Sequence, residues 1–510
     1  MPAIPPRPTR RSPLLALVHV ALSALWLALV VVVPLVAAWV ASSLAAHGGA
    51  STRLAAASGL LLFPVLPVLW ETFATWRRAR TAPSSKRFLT LADRLVLRTL
   101  TVGVLFVGVL LARNPRRAFD ALNGRGDWML DGRHDRRAES ARRGLFWLAA
   151  KTSWLYDLSD DSPVHDNSHR HRPTPRILPA REFIRAVPTP RPIADTTAPV
   201  SSAAPPPPTA PPASPRDPHA WPWPADALHP AVLALTPADE TSPRAVGRFL
   251  AAREHDPWQL ARAVHDYVAD RIAYDIRSYR RGVYPPQDAN TVFRTRLSVC
   301  AGYAALFEAV GRAAGLTVRT VLGRARVLEA ESMGERHAWN AVKLDQRWYL
   351  VDVTWDAGSS DWSTFHKEYG TRYFLTPPEA FLPTHYPEES RWQLLPTART
   401  PGEYMRTPVV EPGFFAHGLS LLAPTRSESD ARGSIEVLID NPQGVSLFVM
   451  VVPESWRYVG GQFQACEVIA GERVTARCPL NGDVHDVNIY VASELSAFHE
   501  YVGTLRVHNR

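Results

Sequence analysis

The chain has 510 residues, 46 of them proline, and carries 57 Lys and Arg against 48 Asp and Glu, a net charge of +9. That length exceeds one compact core and points to several units, while three cysteines are too few for a disulfide-scaffolded class. The surplus positive charge sits in Arg clusters beside apolar segments (Arg77, Arg78, Arg80, Arg116, Arg117, Arg136, Arg137, Arg142, Arg143) rather than on a folded basic face with interleaved aromatics, so no nucleic-acid-binding module is recognised.

The first 112 residues are rich in Leu, Val and Ala. Residues 14–41 form an uncharged run longer than the roughly 20 residues a helix needs to cross the hydrocarbon core, and too long for a signal-peptide core. Further spans are predicted over 54–76, with Pro64, Pro67 and Glu71 inside, and over 95–112, with Arg98 near its start. Buried or interfacial helices are the alternative for these two. Three spans make a multi-pass membrane region and put the chain ends on opposite sides. Nine positive residues (Arg7, Arg10, Arg11, Arg77, Arg78, Arg80, Lys86, Arg87, Arg94) against six (Arg53, Arg113, Arg116, Arg117, Arg125, Arg133) favour the amino terminus inside and the remainder extracytoplasmic. A basic juxtamembrane segment follows at 113–157.

Residues 158–240 form a Pro-rich linker, including Pro205 to Pro208 and repeated Thr-Pro, Ala-Pro and Ser-Pro steps. Such a segment cannot bury a core and is expected as an extended, disordered tether. His165, His169 and His171 within it read as solvated linker. With no Cys-x-x-Cys pair, His-Glu-x-x-His helix or EF-hand loop elsewhere, neither a metal nor a cofactor is expected.

Order is predicted to resume near Thr241. Leu260, Val264, Tyr267, Val268 and Ile272 recur at helical spacing, giving an amphipathic helix over 257–273 with His265 and Asp266 on its solvated side. Ala304, Phe307, Val310 and Ala314 fall on one stripe, so a second helix opens at or just before Cys300, with Ser298 as its cap. A thiol at a helix amino terminus meets the positive end of the dipole, which favours thiolate. A lone cysteine there is otherwise a small core residue.

The runs starting at His337 and ending at Trp355 flank Asp345-Gln346 and predict a hairpin. With a two-residue turn, His337 faces position 354 and Asp352 is its diagonal neighbour on the same face, within side-chain reach. A base and its orienting acid on one hairpin, with a cysteine at a helix start upstream, make a nucleophile constellation: Cys300 nucleophile, His337 base, Asp352 orienter.

The order Cys300, His337-Ala-Trp-Asn, Trp348-Tyr-Leu-Val-Asp352-Val-Thr-Trp-Asp resembles the transglutaminase-like core, an α+β papain-type fold. Tyr373-Phe-Leu-Thr-Pro-Pro-Glu-Ala-Phe, His385-Tyr-Pro and Trp392-Gln-Leu-Leu are similar to the subgroup that includes kyphoscoliosis peptidase and the cytokinesis-associated transglutaminase-like proteins. The resemblance implies a catalytic domain at 241–398 that attacks amide bonds of protein or peptide substrates through a thioester, with the oxyanion partly on the Cys300 backbone N–H and Gln287 as a second donor. Tyr303, Trp339 and Trp355 are expected as cleft walls or as core aromatics, and Glu329 to Arg336 as a mobile rim. Hydrolysis by a membrane-anchored cysteine peptidase or amidase is the leading expectation; crosslinking acyl transfer and a catalytically silent binding scaffold are the alternatives.

The subgroup resemblance also implies a β-sandwich after the core. Short apolar runs (435–439, 445–452, 463–468, 487–491, 502–507) broken by Gly, Pro, Asn and Asp independently predict an antiparallel, immunoglobulin-like sandwich over 399–510. A three-residue turn at Gly471 to Arg473 puts Cys466 opposite Cys478, at a spacing that suits a disulfide. Such a bridge would persist in an oxidising compartment.

Overall fold

The computed structural model describes residues 13–48, 50–81, 89–131, 133, 135–152, 219–224, 227–327, 333–360, 363–453, 463–492 and 499–509. The chain divides into two compact units, 1–162 and 163–510.

In the first unit α1 (Pro13–His47) runs through Pro34 without a break. α2 (Thr52–Leu60) is separated from α3 (Leu66–Thr81) by a kink within Leu61–Val65, where Phe63, just before Pro64, leaves the helical conformation. α4 (Leu91–Arg113) opens on a Thr90–Asp93 capping box. Three stretches, Val30–His47, Thr52–Arg80 and Leu91–Arg113, are long and apolar enough to cross a membrane. The second and third extend beyond the predicted 54–76 and 95–112. Buried Glu71 pairs with Arg94 at 2.8 Å and Arg98 at 2.6 Å, so the charges within these two apolar helices neutralise one another. α5 (Pro115–Arg125) and α6 (Arg136–Ala150) follow, and the Trp39 indole N–H donates to the Gly126 carbonyl at 2.7 Å, tying the end of α5 to α1.

Most of the predicted linker, including His165, His169 and His171, lies outside the described residues. Its assigned end is corrected, because residues 219–224 and 227–240 belong to the folded domain. Trp223 is buried edge-on against Phe374, and Val232 in α7 (Pro230–Leu233) is buried. Arg262 donates to the Pro224 and Ala227 carbonyls. Proline density hid this docking: each Pro removes an N–H, but the Trp side chains between them still supply large apolar surfaces.

The catalytic-type domain packs α8 (Pro243–Ala251), α9 (Pro257–Arg271), α10 (Ile276–Arg281), α11 (Ala289–Thr295) and α12 (Cys300–Ala313) with a five-stranded sheet. A two-stranded parallel ladder, β1 (Ala273–Tyr274) and β2 (Leu297–Ser298), precedes α12. The main sheet has the order β8 (Phe374–Thr376), β5 (Arg347–Val351), β4 (Glu335–Leu344), β3 (Thr317–Ala325), β9 (His385–Pro387); a small hairpin, β6 (Gly358–Ser360) with β7 (Phe365–Lys367), lies outside it. The β4–β5 turn is Asp345-Gln346, both at positive φ, and the register pairs Asn340 with Val351. One face of the sheet meets the helices through Val318, Val342 and Leu344; the other holds Val321, Trp339, Ala341, Leu350, Tyr373 and Phe381.

The solvated side assigned to α9 is a correction: His265 and Asp266 are fully buried. His265 bridges Asp266 at 3.0 Å and Asp356 at 3.1 Å, and Asp266 also accepts from the Tyr369 hydroxyl and the His229 backbone N–H. Satisfied this way, polar groups bury on a face that periodicity alone assigns to water.

The carboxyl-terminal region is β-rich. One sheet runs β10 (Val409–Val410), β19 (His499–Asn509), β18 (Val484–Ala492), β14 (Leu447–Pro453), β15 (Gln464–Ala465), with β12 (Glu428–Ala431) beside β19; the other runs β11 (Ser420–Ala423), β13 (Ser434–Asp440), β17 (Arg473–Pro479), β16 (Glu467–Ile469). Val437, Ile439, Val449, Val451, Val487 and Val507 share one buried core. Pairing is not antiparallel throughout, since β12 joins β19 in parallel. β17, which periodic runs missed, is central to its sheet and alternates Val474, Ala476 and Cys478 inward with polar residues between.

Candidate active site

Cys300 is the first residue of α12. The predicted Ser298 cap is corrected: Val299 occupies the N-cap position without a side-chain cap, because Ser298 is in β2 and its hydroxyl donates to Gln287 Oε1 at 2.8 Å. The same Oε1 accepts the Val299 N–H at 3.1 Å, and Gln287 Nε2 donates to the Pro285 carbonyl at 2.9 Å. Gln287 therefore braces the turn into the helix. A Cβ on Gly302 would lie 2.0 Å from Ser298 Oγ and 2.8 Å from Gln287 Oε1, so glycine permits this approach. An uncapped helix start leaves backbone N–H groups of its first turn open toward an anion.

His337 is held on β4 opposite Gly323, where a Cβ would meet the Tyr386 carbonyl at 2.3 Å and the Trp339 ring at 2.4 Å. Its Nε2 lies 2.7 Å from Asp352 Oδ2, and the Cys300 sulfur is its other close electrostatic partner, toward which Nδ1 is the nitrogen left. Burial opposes charge on this imidazole, but the Asp352 carboxylate and the Cys300 sulfur outweigh it and raise its pKa to about 10. The structure thus sets His337 against Asp352 and within electrostatic reach of Cys300.

Asp352 is fully buried just after β5 and is also the N-cap of α13 (Val353–Asp356), its Oδ1 accepting from Thr354 N–H at 2.9 Å. Burial would raise its pKa; the charge of His337, that residue's hydrogen bond and one from His385 hold it well below the usual carboxylate range.

His385 is a site residue that sequence reasoning quoted but did not assign. It is fully buried on β9, with Nε2 3.1 Å from the same Asp352 Oδ2 and Nδ1 2.9 Å from Thr384 Oγ1. Burial lowers its pKa to about 4, and the positive charge of His337 also disfavours a second one, so this ring is neutral. A carboxylate only accepts, which fixes Nε2–H as donor; the Thr384 hydroxyl beside Nδ1 donates to the Phe381 carbonyl at 3.1 Å. No local signal marks a partner 33 residues downstream; the His385-Tyr-Pro segment was its one trace.

The predicted walls divide. Tyr303 is a core residue and not a cleft wall: it is fully buried and its hydroxyl donates to the Ile272 carbonyl at 2.9 Å. Trp339, 1% exposed, and half-buried Trp355 pack on His337 with ring centroids at 6.1 and 5.5 Å, backing the imidazole. Residues 329–332 of the expected rim lie outside the described residues.

His337, Asp352 and His385 each offer a potential metal-ligand atom, all within 4.8 Å of one another. The shared Oδ2 is already the acceptor of both imidazoles, so the geometry is that of a hydrogen-bonded relay. Far from this cleft, Cys466 and Cys478 form a disulfide with Cα atoms 4.4 Å apart, in the register set by Glu467 opposite Arg477. Cys300 is then the one free thiol.

Residues 244–353 match the family model of the transglutaminase-like superfamily. Kyphoscoliosis peptidase of Homo sapiens is 31% identical over 233 residues, and that of Mus musculus 30% over the same length; each alignment covers 42% of this chain and 35% of the relative. The chain thus spans about a third of these relatives' length. Among solved structures, the periplasmic domain of TgpA from Pseudomonas aeruginosa bound to ethylmercury is 24% identical, with 24% of this chain and 47% of that one covered at a TM-score of 0.20.

Proposed function

Taking residues 244–353 as a transglutaminase-like core of the kind found in kyphoscoliosis peptidases, we propose that this chain is a membrane-anchored cysteine peptidase or amidase acting on protein or peptide amides. The observation that carries the reading is His337 paired with Asp352 at 2.7 Å and electrostatically coupled to Cys300 at an uncapped helix start. The raised pKa of His337 means that the proton rests on the imidazole, beside the sulfur that attacks.

The sulfur of Cys300 adds to the amide carbonyl carbon, and the carbonyl π pair moves to oxygen. That oxyanion lies against the Cys300 backbone N–H, with Gln287 as a second donor once its Nε2 turns from the Pro285 carbonyl. His337 gives its Nδ1 proton to the amide nitrogen, the C–N bond breaks, and the amine leaves a thioester. Water then attacks the thioester while His337 takes its proton; the C–S bond breaks, releasing the acid and restoring the sulfur. Asp352 keeps Nε2 protonated throughout, so Nδ1 is the nitrogen that cycles. The peptidase name of the relatives favours water over an amine in the last step.

The test is labelling of the full chain by a thiol-reactive probe that mimics an amide substrate. Labelling of the parent, its absence in Cys300→Ala and its loss in His337→Ala are expected. Equal labelling of the parent and His337→Ala would remove the triad reading and leave the binding scaffold.

A further inference from the structure

We propose that Glu335, with the rings of Tyr274 and Tyr279, forms a subsite for a cationic group, an ammonium or guanidinium, on the substrate beside the amide that Cys300 attacks. The proposal rests on Cys300 being the nucleophile. Its geometry starts from both catalytic strands. Tyr274 is paired with Ser298, two positions before Cys300, and Glu335 opens β4 two positions before His337. Tyr279 on α10 joins them: its ring centroid is 6.0 Å from that of Tyr274, and its hydroxyl donates to Glu335 Oε2.

Charge is what this corner lacks. Among the described residues Glu335 has no ion-pair partner; its hydrogen bond is from a neutral phenol. The nearest cations along the sheet, Arg336 and Arg324, face each other across β4 and β3 one position on, and strand alternation turns them to the opposite side. The phenols of Tyr274 and Tyr279 are kept neutral by burial, and both feel the negative charges of Cys300 and Glu335, as does Tyr284. The sulfur is already matched by the His337 imidazolium, whereas among the described residues no cation is paired with Glu335. A carboxylate with spare acceptor positions among aromatic faces is the chemistry that holds an ammonium or guanidinium. A substrate with a Lys- or Arg-like group next to the scissile amide would supply the missing charge, and an acidic one would be repelled.

The test uses the full chain and three chloroacetamides of similar size, N-(2-aminoethyl), N-propyl and N-(carboxymethyl), because Cys300 is the one free thiol. The cationic reagent should alkylate about five- to tenfold faster than the propyl reagent at low salt, and the anionic one slower by a similar factor. Both ratios should shrink at about 1 M salt. Glu335→Gln should bring the cationic-to-neutral ratio to near one with the propyl rate within about twofold of the parent. The parent-protein ratios and their salt dependence need no variant to fold. Equal rates of the cationic and neutral reagents on the parent, or a preference that survives Glu335→Gln, overturns the subsite. Failure of the propyl reagent to label Cys300 at all would instead refute the nucleophile.

Discussion

Asp352→Asn isolates the electrostatics of the relay. Asn keeps one acceptor oxygen, which can stay on the α13 backbone and preserve the cap. Its NH2 then faces two imidazole Nε2–H groups, where the carboxylate accepted at 2.7 and 3.1 Å. His385 can adapt by moving its proton to Nδ1, since the Thr384 hydroxyl accepts as well as donates. His337 cannot: a proton fixed on Nδ1 faces Cys300 and blocks the base. Without the carboxylate only the Cys300 sulfur opposes burial, and the His337 pKa falls from about 10 towards its ordinary 6.5, a loss of up to about 5 kcal/mol for the charged form. Alkylation of Cys300 at pH 7 should fall by about 10^3-fold. Two lost charge-assisted bonds should lower stability by about 2–4 kcal/mol. The assay pairs the alkylation rate with NMR titration of 13C-labelled histidine, read as the apparent titration of the coupled pair. A His337 midpoint still above about 8 in the variant, or alkylation within tenfold of the parent, would refute the reasoning. His385→Leu, which leaves the His337 bond, should cost stability of about 1.5–3 kcal/mol but alkylation less than tenfold.

Stability should also depend on His265. Burial lowers its affinity for a proton, but Asp266 and Asp356 raise its pKa to about 9, above the unfolded value near 6.5. Its contribution is therefore full below about 6.5 and is lost as pH rises through about 9, up to on the order of 3 kcal/mol. His337 has the same sign, so the comparison is of melting temperature against pH between the parent and His265→Gln; equal slopes over pH 6.5–9 would contradict it. Peptide mapping without reductant, after purification from membranes, should give a linked Cys466–Cys478 peptide and a free Cys300, and its closure of a short loop should add about 3 kcal/mol. Free thiols at all three positions would remove the argument for an oxidising compartment.

Sequence by itself determined what depends on short-range pattern. Apolar length marked three membrane-capable helices. Alternation about Asp345-Gln346 fixed the β4–β5 register, because a two-residue turn leaves one pairing and side-chain direction then follows with period two. The same logic put Cys466 opposite Cys478. Tertiary structure decided wherever a residue's partner is distant in sequence. Glu71 and Arg98 are lone charges within apolar spans until two helices pair them; His265 and Asp266 look solvated until α13 and Tyr369 satisfy them; Trp223 looks like linker until Phe374 covers it. Ser298 has the right identity for a helix cap, yet β1 and Gln287 claim it, and that leaves the helix start open at Cys300. His385 reaches Asp352 from the far edge of the sheet. Periodicity records which face of an element is apolar, but the cost of burying a charge is decided by its partners, and those are brought together only by the fold.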